Sequence, residues 1–414
     1  MLNLQRNFIN NEYIASLNFI LLMFLPVSLL IGSAVINFVI ILFDILFLID
    51  VIKKKEKQIF NEKHIYLLFI IWFYLIINSF IGIDFESSIV RSIGFIRFVI
   101  LAIGINYYFR KYYDYFLYNI IKIWSLIFIV VTLDLIFETT FGFNLTGNIS
   151  PDKGRLSGFL GEELKIGNYY FGFILITLSY LLLKFKNNYT LYLFSTIFLI
   201  VALLIGERSN FLKVLFILPL FLFFFENKNF LKKIFVIFIS VSILFTIVYS
   251  NNNYKTRFWE MLIEPLIQAK LNPIESLKTK MHGAHYDTAI QIFVENKLSG
   301  IGLKNFRKIS GDAKYKNTNY QYTDYRQTTH PHQMHFEILS ELGLIGYILF
   351  GLFFYMSISN SLKIYIKSKN LFQLSSMLFI IATIIPLLPS GSFFTTYTAS
   401  IFWINYGLLF YKKS

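Results

Sequence analysis

Six histidines occur in the chain, and three of them fall within one run, HPHQMHFEILSELGLIG, residues 330–346. Imidazole takes and releases protons near neutral pH and is also a ready metal ligand. Pro331 suits a first helical turn, where its missing N–H is not needed. That places His332 in the first turn of an apolar helix and His335 one turn on. One reading of His332 is a proton acceptor at a membrane surface. A second is an interfacial cluster that only anchors the helix. A third is a metal site, in which His330, His332 and His335 give three nitrogens to zinc. Pro331 between two ligands is awkward for that, and no Asp-x-Asp pair occurs in the chain. The expectation is therefore a site with no metal and no other cofactor.

The other candidates are charges at the ends of apolar runs. In GERSNFLKVLF, residues 206–216, Arg208 lies in a very short turn. An arginine costs roughly 2.5–3.5 kcal/mol at the bilayer centre and less near the edge, so one kept there calls for an anion. Glu207 is the structural choice; a lipid pyrophosphate, which a planar guanidinium grips with two hydrogen bonds, is the functional one. In KGRLSGFLGEELKIGNYY, residues 153–170, Arg155 precedes a Gly-rich approach to a helix start. Glu162 and Glu163 lie near that helix N-terminus, where acids are favoured, as caps or, for one of them, as an acid or base. Arg91 and Arg97 fall in one apolar run. Arg91 can snorkel to its outer end; Arg97 is deeper and needs a partner, for which Asp44 and Asp134 are available, with Asn78 as a polar neighbour. Arg257 is followed by Phe258 and Trp259, a pair that reads as membrane anchoring. SGIGLKNF, residues 299–306, is a lone Gly-x-Gly without the strand-to-helix setting of a nucleotide site.

These residues need a scaffold, and the composition says which kind. Of 414 residues, 56% are hydrophobic, 48 are Phe and only 15% are charged, with a mean hydropathy of +0.59. A soluble domain would carry about a quarter charged residues. The expected fold is an all-α polytopic membrane protein forming a single transmembrane domain over residues 1–414. Apolar runs near the ~20 residues that cross a bilayer occur at residues 13–31, 34–52, 65–81, 89–109, 116–137, 166–183, 189–205, 211–225, 231–249, 335–357, 371–388 and 393–410, about twelve helices. No cleavable signal is expected, since a second apolar run follows the first almost at once. Cysteine is absent, so no disulfide can brace an exposed loop.

The net charge of +14 is explained by basic loops that set orientation, so no nucleic-acid partner is expected. With the N-terminus in the cytoplasm, the cytoplasmic stretches carry Lys53, Lys54, Lys55 and Lys57; Arg110 and Lys111; Lys184 and Lys186; Lys228, Lys232 and Lys233; Lys363, Lys367 and Lys369; and Lys412 and Lys413. The opposite short loops, 82–88 and 389–392, carry no Lys or Arg. Loops 139–165 and 250–334 are then external. The second is the larger and lies between helices 9 and 10. Within it, residues 285–296 have helical spacing, and GDAKYKNTNYQYTDYRQ, residues 311–327, reads as a polar, mobile stretch. The notable polar residues thus gather on the external face.

Together these blocks resemble the O-antigen ligase family, which also takes in O-antigen polymerases. The family has His-Asn, then an apolar helix with Glu-Leu-Gly and a further Gly; the matching residues are His332, Glu341, Gly343 and Gly346, with Gln333 in place of Asn. Its Gly-x-Gly before Phe is matched by GIGLKNF, its Ser-Arg-Gly-like turn by ERSN at Arg208, and its Arg-x-Ser-Gly by RLSG at Arg155. Where the family's loop helix opens with arginine, this chain has His282, with Arg257 or Lys280 as other residues that could reach in. The resemblance implies a GT-C-type, metal-independent glycosyltransferase of the bacterial inner membrane with its site on the periplasmic face. The implied donor is a glycan on undecaprenyl pyrophosphate and the implied acceptor a lipid A–core or a second lipid-linked repeat, among membrane lipids. His332 would be catalytic. Arg208, Arg155, Arg257 and His282 would bind pyrophosphate, with Arg91, Arg97, Glu162 and Gln333 as further candidates. A ligase of lipopolysaccharide biosynthesis is the first expectation and a polymerase the second. A flippase for lipid-linked oligosaccharide is the reading from another class, but it would more naturally show an inverted repeat and charges near the midplane.

Overall fold

The computed structural model describes residues 12–112, 118–225 and 230–409. Residues 116, 117 and 410 of the expected spans, and Lys228, Lys412 and Lys413, lie outside them. Among the described residues all regular secondary structure is helical. Nine of its helices are long and apolar enough to cross a membrane, and the two shorter apolar helices Asn188–Leu204 and Leu371–Thr383 pack with them. The protein is a multi-pass membrane protein.

In chain order the principal helices are α1 Tyr13–Ile31, α2 Ser33–Lys54, α3 Lys63–Ile81, α4 Phe85–Gly94, α5 Ile96–Lys111, α6 Tyr118–Phe141, α7 Ile166–Phe185, α8 Asn188–Leu204, α9 Arg208–Phe225 and α10 Phe230–Ser250. After a run of short turns come the loop helix α11 Met281–Glu295, then α12 Met334–Ser368, α13 Leu371–Thr383 and α14 Thr396–Gly407. α7 is the central post: 89% of its apolar window is buried, against 22% for α10. The exposed Leu231, Phe235 and Phe238 of α10 can face only lipid at no cost, because each helix satisfies its own backbone.

Several expected boundaries shift, each for a local reason. The single run at 89–109 is two helices, because the chain breaks at Phe95 between α4 and α5, though together they still make one crossing of 27 residues. The runs at 371–388 and 393–410 shrink to α13 and α14, since Pro386 and Pro389 interrupt the helix in the connection between them. The run at 335–357 extends to Ser368 and is interrupted at Gly343, which has φ +65°. That break is filled by the Gly-x-Gly loop. Leu344 N–H donates to Lys297 O (2.8 Å) and Ile345 N–H to Leu298 O (3.1 Å), while Ile301 and Gly302 donate to Ser340 O and Glu341 O. A Cβ on Gly343 would lie 2.4 Å from the Leu298 carbonyl oxygen, so only glycine allows the loop this close. The stretch 311–327 is tied down: Arg326 donates to Gly311 O (2.6 Å), Asp312 O (2.9 Å) and Thr323 O (3.0 Å), and Tyr315 is buried.

The loops assigned to one face do meet at one end of the bundle. Ile83 N–H donates to Ile301 O, Leu156 N–H to Ile205 O, and Ser390 N–H to His332 O (2.7 Å). Arg257 bridges to Asp152 (3.1 Å). Residues from five separate connections are thus brought to one place.

Candidate site at the loop end of the bundle

His332 is not in a helix. It has φ +58°, and α12 begins two residues later with Gln333 as its N-cap, extended at φ −157°. The Gln333 Oε1 accepts from the backbone N–H groups of His335 (2.6 Å) and Phe336 (3.3 Å). Pro331 therefore does not open the helix; the cap does, because the first turn's orphan N–H groups need an acceptor. Gln333 is buried and serves the helix. The turn it creates throws the His332 ring out of helical register. The His332 ring then meets His330 at 4.1 Å, His285 at 5.2 Å and His282 at 5.3 Å between centroids. His335 points elsewhere, with its Nε2 2.8 Å from Ile384 O and its Nδ1 3.3 Å from the Tyr347 hydroxyl. The three-histidine set weighed for zinc is thus not assembled. Among the described residues no group of three or more His, Cys, Asp or Glu is arranged to hold a metal ion.

The cluster is packed so that it stays neutral. Burial, reinforced by its neighbour His285, lowers His332 to about 4. Burial lowers His282 and His330 to about 3, with His332 adding repulsion in each case. At pH 7 each ring has one bare nitrogen that can accept a proton. The His332 Nε2 lies 3.2 Å from the Thr328 hydroxyl.

His330 and His332 stand on the wall of a cavity of about 660 Å³, within the size range of small-molecule sites. Facing them are Arg155, Lys165, Glu207 and Lys213, and the connection 389–395 with the first turn of α14 closes another side. Arg155 is aimed by its own loop. Its Nη2 donates to Leu164 O (2.7 Å) and lies 3.5 Å from Glu207 Oε1. The loop is pinned from below by Glu138, which accepts from Ser157 N–H, the Ser157 hydroxyl and Gly158 N–H, all at 2.8 Å. Glu207 also accepts from Gly167 N–H (3.0 Å) and Asn210 Nδ2 (2.6 Å). Burial pushes its carboxyl up, against the pull of Arg155.

Arg208 does not line the cavity. It opens α9 and donates to Met261 O (3.2 Å), but its charge reaches His282 and Lys280, so it stands beside the histidine cluster. Arg257 is engaged with Gly206 O (3.1 Å) and Asp152. It braces the tight turn at Gly206, where a Cβ would come within 2.0 Å of Gly154 O. His282, in the first turn of α11, is brought to His332 together with His285 of the same helix. Arg91 donates to Phe394 O (3.0 Å), and Arg97 to Gly94 O and to the Thr396 hydroxyl (3.3 Å); both hold the segment that closes the cavity. Arg97 has Asp44 as an electrostatic neighbour. Asp134 is not its partner, being bonded to Leu145 N–H (2.8 Å), and Asn78 holds Ser299 O (2.6 Å). Glu162 is exposed in the turn Gly158–Glu163, before the helix rather than at its cap.

The sequence reading passed over Glu337 and gave Glu341 no structural role, and the structure brings both forward. Glu337 accepts from the Ser392 hydroxyl and from Phe393 N–H (2.8 Å), fixing the cavity's closing segment. Glu341 accepts from Lys304 N–H (2.7 Å) and Phe306 N–H (3.1 Å), fixing the Gly-x-Gly loop. Their i, i+4 spacing on an apolar helix was a visible signal, because carboxylates inside a membrane segment are costly unless used. His285 had no comparable signal, and His330 was read only as a possible metal ligand. A search of curated proteins gives no match to the chain. Residues 192–351, the segment that carries Arg208, His282 and His332, do match the family model described as O-Antigen ligase.

Proposed function

We propose that the protein is a glycosyltransferase that moves a glycan from undecaprenyl pyrophosphate onto a lipid A–core acceptor at the periplasmic face of a bacterial inner membrane. The observation that carries this reading is the shared cavity. A bare imidazole nitrogen of His332 and the guanidinium of Arg155 stand on the same walls, at the end of a lipid-facing bundle where Arg208 also gathers.

The acceptor hydroxyl oxygen forms a bond to the anomeric carbon of the donor. The bond from that carbon to the pyrophosphate oxygen breaks, and its electron pair leaves on the pyrophosphate. Cations fixed in advance around that leaving group stabilise the developing charge without rearranging. The hydroxyl proton passes to His332, which is neutral and free to accept it. A pyrophosphate beside the ring favours the imidazolium form and so raises its basicity when donor is bound. His282 and Arg208 flank this point and contribute to the same anion.

Deleting the gene and examining the cell's lipopolysaccharide tests the reading. Accumulated lipid-linked polymer with unmodified core is expected. Core bearing a single repeat would assign the protein as the polymerase instead, and unchanged lipopolysaccharide would remove it from this chemistry.

A further inference from the structure

The charge balance inside the cavity does not close with protein groups. Arg155 is met by Glu207, and Lys165 by Glu163 at 2.8 Å. Lys213 is different. It lies on the cavity wall, only 4% exposed. It follows Ser209 and Asn210 by one turn of α9, and all three face the cavity. Among the described residues no carboxylate comes within ion-pair distance of its ammonium. Glu207 acts on it only through space, and its own oxygens are taken by Arg155, Gly167 and Asn210. The ammonium does lie 5.4 Å from the centroid of Phe171, a contact far weaker than an ion pair.

A buried cation without a partner is destabilising. Leu, Met or Phe at this place in an apolar helix would cost nothing, so the lysine serves something other than the fold. At a rise of 1.5 Å per residue it lies about 7.5 Å further into the bundle than Arg208. It turns toward the cavity, whereas Arg208 lies off it.

We infer that Lys213 is a substrate-contacting residue: its ammonium pairs with a phosphate of the lipid-linked donor and forms the inner end of the anion site whose outer end is Arg155. This rests on the proposed function for the donor's identity, but the subsite stands on the cavity and on Lys213 alone. A lysine suits the role, because a compact ammonium on a flexible stem can follow a phosphate as it gains charge, where a planar guanidinium has a fixed direction. The inner phosphate contact grips the donor before transfer and the departing pyrophosphate after it.

The test uses the full chain in lipid nanodiscs, with thermal unfolding followed alone and with undecaprenyl pyrophosphate, undecaprenol or inorganic pyrophosphate. Wild type is expected to gain Tm with undecaprenyl pyrophosphate and not with undecaprenol. Lys213→Met is expected to match or exceed the wild-type Tm without ligand, and to bind undecaprenyl pyrophosphate about ten- to a hundredfold more weakly, the loss of one charged hydrogen bond. Lys213→Gln should behave likewise and guards against a packing fault peculiar to methionine. A purely structural lysine would give the opposite pattern: lower ligand-free Tm in both variants, which overturns the assignment. Unchanged affinity in both variants also overturns it and leaves the donor reading intact. If wild type responds only to inorganic pyrophosphate, and Lys213→Met abolishes that response, the anion subsite stands and the lipid-donor reading falls. No response of wild type to any phosphate overturns both.

Discussion

His332 works, in this reading, because its environment keeps it uncharged. Three other imidazoles surround it, and burial lowers it to about 4 and His282 and His330 to about 3. The ring is therefore ready to accept a proton throughout the neutral range, and the bound anion supplies the basicity that burial removes. His332→Ala should lower glycan transfer by about 10²–10⁴-fold, the range of a positioned base, while the protein still inserts and keeps its Tm. Wild-type transfer by that variant would take His332 out of the mechanism. The pH dependence has a definite sign. These histidines are harder to protonate folded than unfolded, so their contribution to stability is complete well above pH 6.5. Below it, that contribution is lost as the unfolded chain takes up protons that the folded cluster refuses until the pH approaches about 4 for His332 and about 3 for His282 and His330. The acid limb of kcat/KM, which reports the free enzyme, should lie below pH 6.5 rather than at it.

At the scale of elements, the site is made by the ends and interruptions of helices. Gln333 caps α12 and thereby decides where His332 points; its carboxamide stands where the resembled family has asparagine, a preferred cap. Gln333→Asn should therefore retain most transfer activity and Tm. Gln333→Ala, which leaves the His335 and Phe336 N–H groups without this acceptor, should lose about 1 kcal/mol of stability together with much of the activity; equal behaviour of the two variants would show that the cap does not position His332. The spans were legible in the sequence because an apolar run of bilayer length seldom belongs anywhere but in a bilayer, and 13–31 agrees with α1 to the residue. The interruptions were less legible. Gly343 looks like any packing glycine until the loop at 297–302 is seen to fill its break. The Gly-x-Gly of that loop is unreadable without the helix it enters. Arg155 and His332 were found from their neighbours in the chain. Lys213, although visible in FLKVLF, needed the cavity to distinguish it from a snorkelling charge.

At the scale of the whole molecule, the proposal requires that the site end of the bundle face away from the cytoplasm. The fold separates two ends chemically. Arg155, Arg208, Arg257 and the cluster of His282, His285, His330 and His332 gather at one. At the other, Lys54 pairs with Glu12 and Asp50, Arg110 with Glu62, and Lys111 with Glu56, in the basic loops that the positive-inside rule assigns to the cytoplasm. A helix of 22 residues such as α2 separates the ends by about 33 Å at 1.5 Å per residue, so a label at one cannot report on the other. The chain has no cysteine, so single cysteines can be placed without removing any. Lys153 and Lys55 are both exposed, one in the loop that carries Arg155 and one just after α2. In cells with a permeabilised outer membrane, a membrane-impermeant maleimide should label Lys153→Cys at once and Lys55→Cys only after lysis. The reverse pattern would put the cavity in the cytoplasm, where neither a lipid A–core acceptor nor a donor presented on the outer leaflet could reach His332, and the transfer reading would have to be abandoned even if the histidine proved essential.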